Sequence, residues 1–172
     1  SGAPGPKYWQ QQADYEIDVT LNDETQMITG SETITYHNNS PETLTYLWLQ
    51  LDQNILAKDN MTTKTAGSFI RDSIPAMFMA SALGGYGYDY EGGYKIGSVK
   101  DAATGKDLPY LINYTMMRVD LPAPLKTGEE YSFKIDWSYK EYDRMKFDER
   151  GGYEYFPEDG NYVYTLCQWF PR

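Results

Sequence analysis

Alternation of apolar and polar residues is the feature of this sequence that most constrains its fold. In residues 15–21 and 131–137 an apolar side chain stands at every second position, and polar residues fill the positions between. Successive side chains of a β-strand point to opposite faces of a sheet, so this pattern predicts half-buried strands with one wet face. A chain with this pattern along most of its length is predicted to be built from sheets.

The same pattern predicts further strands along the chain. Residues 27–36 follow the turn at residues 22–24, which predicts a hairpin with the first strand. Gly30 interrupts this second strand and predicts a bulge or a close approach. Residues 44–51 are apolar on nearly both faces, which predicts a central strand. The remaining predicted strands cover residues 94–99, 110–114, 117–121 and 162–169.

Two stretches do not alternate. Residues 143–161 are charged and contain glycine, which predicts a loop, and Pro122 and Pro124 predict a break after residue 121. Residues 54–93 are too long for a simple loop in a compact domain and predict an insertion. Within it, Pro75 and the residues up to Leu83 predict one short helix.

Strands at intervals of 8–15 residues with little helix predict an all-β fold, a twisted antiparallel β-sandwich with one short helix in a long insertion. A length of 172 residues, with no internal repeat or linker, predicts one domain over residues 1–172. The apolar and abrupt end of the sequence predicts that the domain is a fragment of a longer chain.

Composition excludes several classes of function. With 25 acidic and 15 basic residues the net charge is −10, which argues against a nucleic-acid partner. No apolar run approaches the roughly 18 residues of a membrane span. The single histidine excludes an H-E-x-x-H zinc site within these residues. We therefore predict no metal site here and no catalysis by this chain alone.

Tyrosine is unusually frequent, with 17 residues. Most stand at strand spacing, where packing across a sheet explains them. Tyr86, Tyr88, Tyr90 and Tyr94 lie among glycines in the insertion instead. They predict either a recognition loop for sugar rings or peptide side chains, or a surface that packs on a neighbouring domain.

Several stretches, taken together, resemble a known family. They are residues 15–22 with 30–41, the run W-L-Q-L-D-Q-N at 48–54, residues 121–130 with 133–137, and Q-W-F-P-R at 168–172. In this order and spacing they resemble the N-terminal β-sandwich domain of M1-family zinc aminopeptidases, the gluzincins, and most closely their bacterial branch. The resemblance covers most of the chain except residues 54–93.

The resemblance implies a non-catalytic domain that caps the active-site cleft of a peptidase. In the family, zinc is bound by the following domain, through H-E-x-x-H and a downstream Glu, so we expect zinc and the catalytic residues beyond Arg172. The implied partners are that catalytic domain of the same chain and a peptide substrate. An exported bacterial protein, periplasmic or at the cell surface, is favoured.

Gln168 is the candidate site residue. It matches the family position where an acid or amide binds the free α-amino group of the substrate. A side-chain carbonyl accepts a hydrogen bond from an ammonium group but lacks the charge of the Glu found in many relatives. Two alternatives from other classes remain open: a stand-alone carbohydrate- or peptide-binding sandwich, and a hydrolase that uses loop carboxylates.

Overall fold

The structure, a computed structural model, describes residues 2–5, 7–58, 73, 75, 76, 90–147 and 150–172. Within them, nine strands form: β1 (Gln12–Asn22), β2 (Met27–His37), β3 (Leu44–Gln50), β4 (Lys95–Asp101), β5 (Tyr110–Asn113), β6 (Met116–Leu125), β7 (Glu130–Lys140), β8 (Gly152–Phe156) and β9 (Asn161–Thr165). A single turn of 3-10 helix, Asp52–Leu56, follows β3. The predicted helix of residues 72–83 lies outside the described residues, apart from isolated positions.

The strands form three antiparallel sheets. The largest has the order β1-β2-β7-β4, the second β3-β6-β5, and the third is the β8–β9 hairpin. The first two sheets face each other across a common core, which confirms the predicted all-β sandwich. This core consists of Ile28, Ile34, Leu47, Leu49, Leu51, Val99, Leu108, Met117, Val119, Phe133, Ile135, Trp137 and Tyr139.

The β1–β2 hairpin is confirmed, with unbroken pairing from Gln12 and His37 to Asn22 and Met27. Gly30 lies opposite Trp137 of β7. A Cβ atom added at Gly30 would lie 2.6 Å from Cε2 of the indole. Gly30 is therefore the predicted close approach, because the missing side chain leaves room for the buried ring.

The predicted central position of β3 is wrong. It is an edge strand, and its Tyr46 and Trp48 are 40% and 49% exposed. Its second apolar face is explained by contacts on the sheet surface. The two rings pack edge to face at 6.2 Å, and the Arg118 guanidinium lies 4.1 Å from the centre of the Tyr46 ring.

The predicted break at Pro122 and Pro124 is also wrong, since β6 continues to Leu125. The pairing with β3 shifts between Leu44 and Tyr46, directly opposite these prolines. Proline has no N–H for the ladder, so it is accommodated where the ladder is irregular.

The predicted loop at residues 143–161 contains a strand, β8, which pairs with β9. The last predicted strand, residues 162–169, ends earlier than expected, at Thr165. Residues 166–172 then run as an irregular C-terminal segment across the sandwich, where Trp169 and Phe170 pack against the core. This segment positions the candidate site.

Candidate functional site

The C-terminal segment is held by the end of β3. The Arg172 backbone N–H donates to the Gln50 carbonyl at 3.1 Å, and the Gln50 N–H donates back to the Arg172 carbonyl. The Arg172 guanidinium also binds the Asp52 carboxylate at 3.0 Å. The two sequence runs W-L-Q-L-D-Q-N and Q-W-F-P-R, more than a hundred residues apart, therefore meet in one place.

Gln168 is fixed through its backbone. Its carbonyl accepts a hydrogen bond from the Tyr94 hydroxyl at 3.1 Å, and the Gln53 side-chain amide donates to the neighbouring Cys167 carbonyl at 2.8 Å. Gln168 has φ of 46°, in the left-handed region that residues other than glycine rarely adopt. Such a conformation persists only where surrounding contacts hold it. Gln168 lies beyond β9 rather than on the last strand, and its side chain is exposed.

A pocket of about 260 Å³ opens beside Gln168. Its walls come from the 3-10 helix after β3, from the segment that follows β7, and from the C-terminal segment. It is lined by Asp52, Gln53, Ile55, Leu56, Glu141, Tyr142, Arg150, Gly151, Cys167 and Gln168. The pocket is therefore mixed in charge, and Gln168 is one of its lining residues.

Glu141 is a buried acid in the wall of this pocket, with 2% of its surface exposed. Burial raises the pKa of its carboxyl group to about 7, against the opposing effects of the Tyr142 backbone N–H and the nearby Tyr139 hydroxyl. Its Oε2 has no hydrogen-bond partner among the described residues. Near neutral pH the protonated and the ionised forms of this carboxyl group are therefore both populated.

Glu32 is a second buried acid, inside the sandwich and 1% exposed. Burial raises the pKa of its carboxyl group to about 8, against the opposing effect of the neighbouring Trp137 indole. Neither oxygen has a hydrogen-bond partner in the described part of the chain. The sequence carried a signal for it, because Glu32 shares the apolar face of β2 with Ile28 and Ile34.

The predicted recognition loop is described only in part. Tyr90 is 5% exposed, its hydroxyl donates to the Lys140 carbonyl at 2.6 Å, and its ring packs on Phe147. Tyr94 packs edge to face on Trp137 at 5.7 Å. These two rings pack into the domain. Tyr86 and Tyr88 lie outside the described residues, so the prediction stays open for them.

A tyrosine cluster that the sequence reasoning missed lies on the β8–β9 hairpin. Tyr153 pairs with Tyr164, and Tyr155 pairs with Tyr162, so all four rings stand on one face. Neighbouring ring centres are 4.8–6.2 Å apart. Tyr155 and Tyr162 are 48% and 38% exposed. The available signal is the spacing of two in Y-E-Y and Y-V-Y. The first run falls in the predicted loop at residues 143–161, and the second falls in the predicted strand at residues 162–169.

Among the described residues, no three His, Cys, Asp or Glu side chains come together in a group that could hold a metal ion. Within the same residues, no helix has the length and apolar character needed to cross a membrane.

No protein-family model matches the sequence, and no curated protein matches it. Similarity is found among solved structures. An M1 zinc metallopeptidase from Deinococcus radiodurans is 14% identical over 84% of this chain and 24% of that chain, with a TM-score of 0.47. A mutant of that enzyme bound to a Tyr-Ser-Ala substrate is 14% identical over 83% and 24%, with a TM-score of 0.46. A two-domain M1 zinc metallopeptidase mutant bound to L-tryptophan is 12% identical over 81% and 22%, with a TM-score of 0.46.

This chain thus spans about a quarter of the length of the structures that it matches. The identities and TM-scores are too low to carry an argument about function, and the substrates named belong to those proteins.

Proposed function

We propose that this chain is the N-terminal domain of an M1-type zinc aminopeptidase, in which Gln168 binds the α-amino group of a peptide substrate. In this proposal the domain is not itself catalytic. It caps the cleft of a catalytic domain in the same chain, and that domain supplies the zinc ion.

The observation that carries the proposal is the junction between the two family-like runs. Gln50 and Asp52 bind Arg172, while Gln53 binds the Cys167 carbonyl. These contacts fix the backbone on both sides of Gln168, which is exposed and lines the pocket. Such fixed placement favours binding of an ammonium group at a defined position.

The chemistry suits an amine. The Gln168 side-chain carbonyl is a hydrogen-bond acceptor, and an α-ammonium group offers three donors. A hydrogen bond to a charged group contributes about 1.5–3 kcal/mol. Loss of this contact should therefore lower kcat/KM by roughly ten- to a hundred-fold.

The test is an aminopeptidase assay on the protein encoded by the full reading frame. Release of nitroaniline from aminoacyl-nitroanilides is measured with and without a zinc chelator. We compare the wild type with Gln168→Ala, Gln168→Glu and the control Gln12→Ala, which removes an exposed glutamine of β1. We expect chelator-sensitive activity that falls in Gln168→Ala, rises or is retained in Gln168→Glu, and is unchanged in Gln12→Ala.

If Gln168→Ala leaves the chelator-sensitive activity unchanged, Gln168 does not bind the substrate amine, and the aminopeptidase assignment stands. An absence of chelator-sensitive activity, together with binding of glycans by the unmodified chain, would favour the stand-alone binding module instead.

A further inference from the structure

The β8–β9 hairpin is separate from the two large sheets. β9 pairs only with β8 among the described strands. An isolated two-stranded ribbon is marginally stable, and its edges carry unpaired backbone groups. The hydrogen bonds of β8 fix the direction in which each backbone group of β9 points.

Tyr153 of β8 uses both of its backbone groups away from β9. Its N–H donates to the Tyr142 carbonyl at 2.8 Å, and its carbonyl accepts from the Arg144 N–H at 2.9 Å. Tyr153 and its partner Tyr164 are therefore a pair without mutual hydrogen bonds. Such pairs alternate along an antiparallel ladder, so the pair of Tyr155 and Tyr162 is of the same kind.

It follows that the N–H and C=O groups of Tyr162 and Tyr164 point away from β8, along the outer edge of β9. No described residue forms a backbone hydrogen bond with them there. This edge offers two donors and two acceptors in a row, with the spacing that an added strand requires.

The surroundings of this edge are acidic. Burial raises the pKa of the Tyr164 hydroxyl, Gln26 lowers it, and Asp23 and Glu141 raise it through their negative charge. The hairpin itself carries Glu154 in β8 and Glu158 in its turn. The charge of this region therefore complements a basic partner.

We infer that the outer edge of β9 binds an extended basic peptide as an added antiparallel strand, with the N-terminal residue of the peptide at the Gln168 end. β9 runs from Asn161 towards Gln168, and an antiparallel strand therefore begins where β9 ends. Only the identification of this peptide as a substrate rests on the proposed function. β9 has five residues, about 17 Å at the usual rise, so affinity should increase up to a peptide length of about five to six residues.

The test uses the 172-residue chain and a lysine-containing octapeptide of otherwise neutral residues, with affinity measured by NMR titration. Two N-methylated versions are compared, one methylated at odd positions and one at even positions. In an added strand only one set of N–H groups faces β9. We expect one version to bind about ten-fold more weakly and the other to bind nearly as well as the parent peptide. Equal affinity of the two versions would overturn the inference.

Protein variants provide a second measurement. Tyr162→Pro removes both the ring and the outward N–H, whereas Tyr162→Ala removes the ring alone. Because this N–H is not used in the hairpin ladder, proline is tolerated there. We expect Tyr162→Pro to bind several-fold more weakly than Tyr162→Ala. Slow exchange of the Glu154 and Val163 amides checks that the hairpin is intact. If a variant disrupts the hairpin, the comparison of the two methylated peptides on the wild-type chain is the deciding test.

Further arms separate this inference from the proposed function and from other occupants. An N-acetylated octapeptide that binds as well as the free one, with the methylation pattern retained, supports the β9 edge and removes the amine contact at Gln168. If acetylation abolishes binding and the two methylated versions bind equally well, the β9 edge is excluded and the amine contact at Gln168 stands.

A glutamate-containing octapeptide that binds as well as the basic one would overturn the basic preference. Protection of the Tyr162 and Tyr164 amides that increases with protein concentration, without peptide, would show that a second copy takes the edge.

Discussion

The centre of the four-stranded sheet and the β8–β9 hairpin are both rich in aromatic residues, but they bury them to very different extents. Phe133, Trp137 and Tyr139 on β7 are each no more than 2% exposed. On the hairpin, Tyr155 and Tyr162 are 48% and 38% exposed. Alternation of the same residue types therefore produces a core in one region and an open surface in the other.

The difference comes from what lies opposite each strand. β7 pairs on both edges, with β2 and β4, and its inner face is covered by the second sheet. The hairpin has one ladder, and no other described strand pairs with the outer edge of β9. Burial of an aromatic ring contributes to folding, whereas an exposed ring on a free edge remains available for a ligand. Stability and binding are thus expected to reside in different strands.

The largest predicted effect concerns the fit of Gly30 against Trp137. Gly30→Ala places a methyl group 2.6–2.7 Å from Cε2 and Cη2 of the buried Trp137 indole, and closer still to Cζ2. We expect a loss of about 3 kcal/mol in the free energy of unfolding, measured by urea denaturation. Gly97→Ala on β4 is the matched control, since its nearest atom would lie at 3.5 Å. Equal stability of the two variants would show that the core around Trp137 has room for a methyl group at position 30.

The second prediction concerns the effect of Glu32 on the pH dependence of the free energy of unfolding. Its carboxyl has a pKa of about 8 in the folded chain, raised from an ordinary 4.5. Between these values the unfolded chain has lost a proton that the folded chain keeps, so stability falls as pH rises. The slope approaches about 1.4 kcal/mol per pH unit.

Between pH 7 and 8 Glu32 makes the larger contribution to this slope, because the raised pKa of Glu141 is only about 7 and that group has already lost part of its proton. We expect Glu32→Gln to flatten the profile of unfolding free energy in this window by about 1 kcal/mol. Glu16→Gln, on the exposed face of β1, serves as the control. A wild-type profile that is already flat between pH 7 and 8 would contradict the burial of an ionisable Glu32.

The sequence predicted the sandwich because alternation reports directly on which face of a strand is buried. The predictions were wrong where the tertiary contacts of a strand differ from those that its local pattern indicates. β3 is apolar on both faces, yet it lies at an edge, where Tyr46 contacts Trp48 and Arg118 on the sheet surface. β8 was missed because its charges and glycines resemble a loop. The junction around Gln168 depends on contacts across more than a hundred residues, which no local pattern reports, although the family-like motifs marked both of its parts.

The smallest predicted effect tests the independence of the hairpin. Tyr155→Ser removes a ring that stands 4.8 Å from Tyr162. A cross-strand aromatic pair contributes roughly 0.2–1 kcal/mol, so we expect the global free energy of unfolding to change by less than about 0.5 kcal/mol. Local opening of the hairpin should nevertheless increase, which would be measured as faster exchange of the Glu154 and Val163 amides. Tyr110→Ser on β5, where the ring is 42% exposed, is the control and should leave that exchange unchanged. If Tyr155→Ser instead lowers global stability as much as Gly30→Ala does, the hairpin belongs to the cooperative core, and its edge is held too firmly to be treated as a separate binding surface.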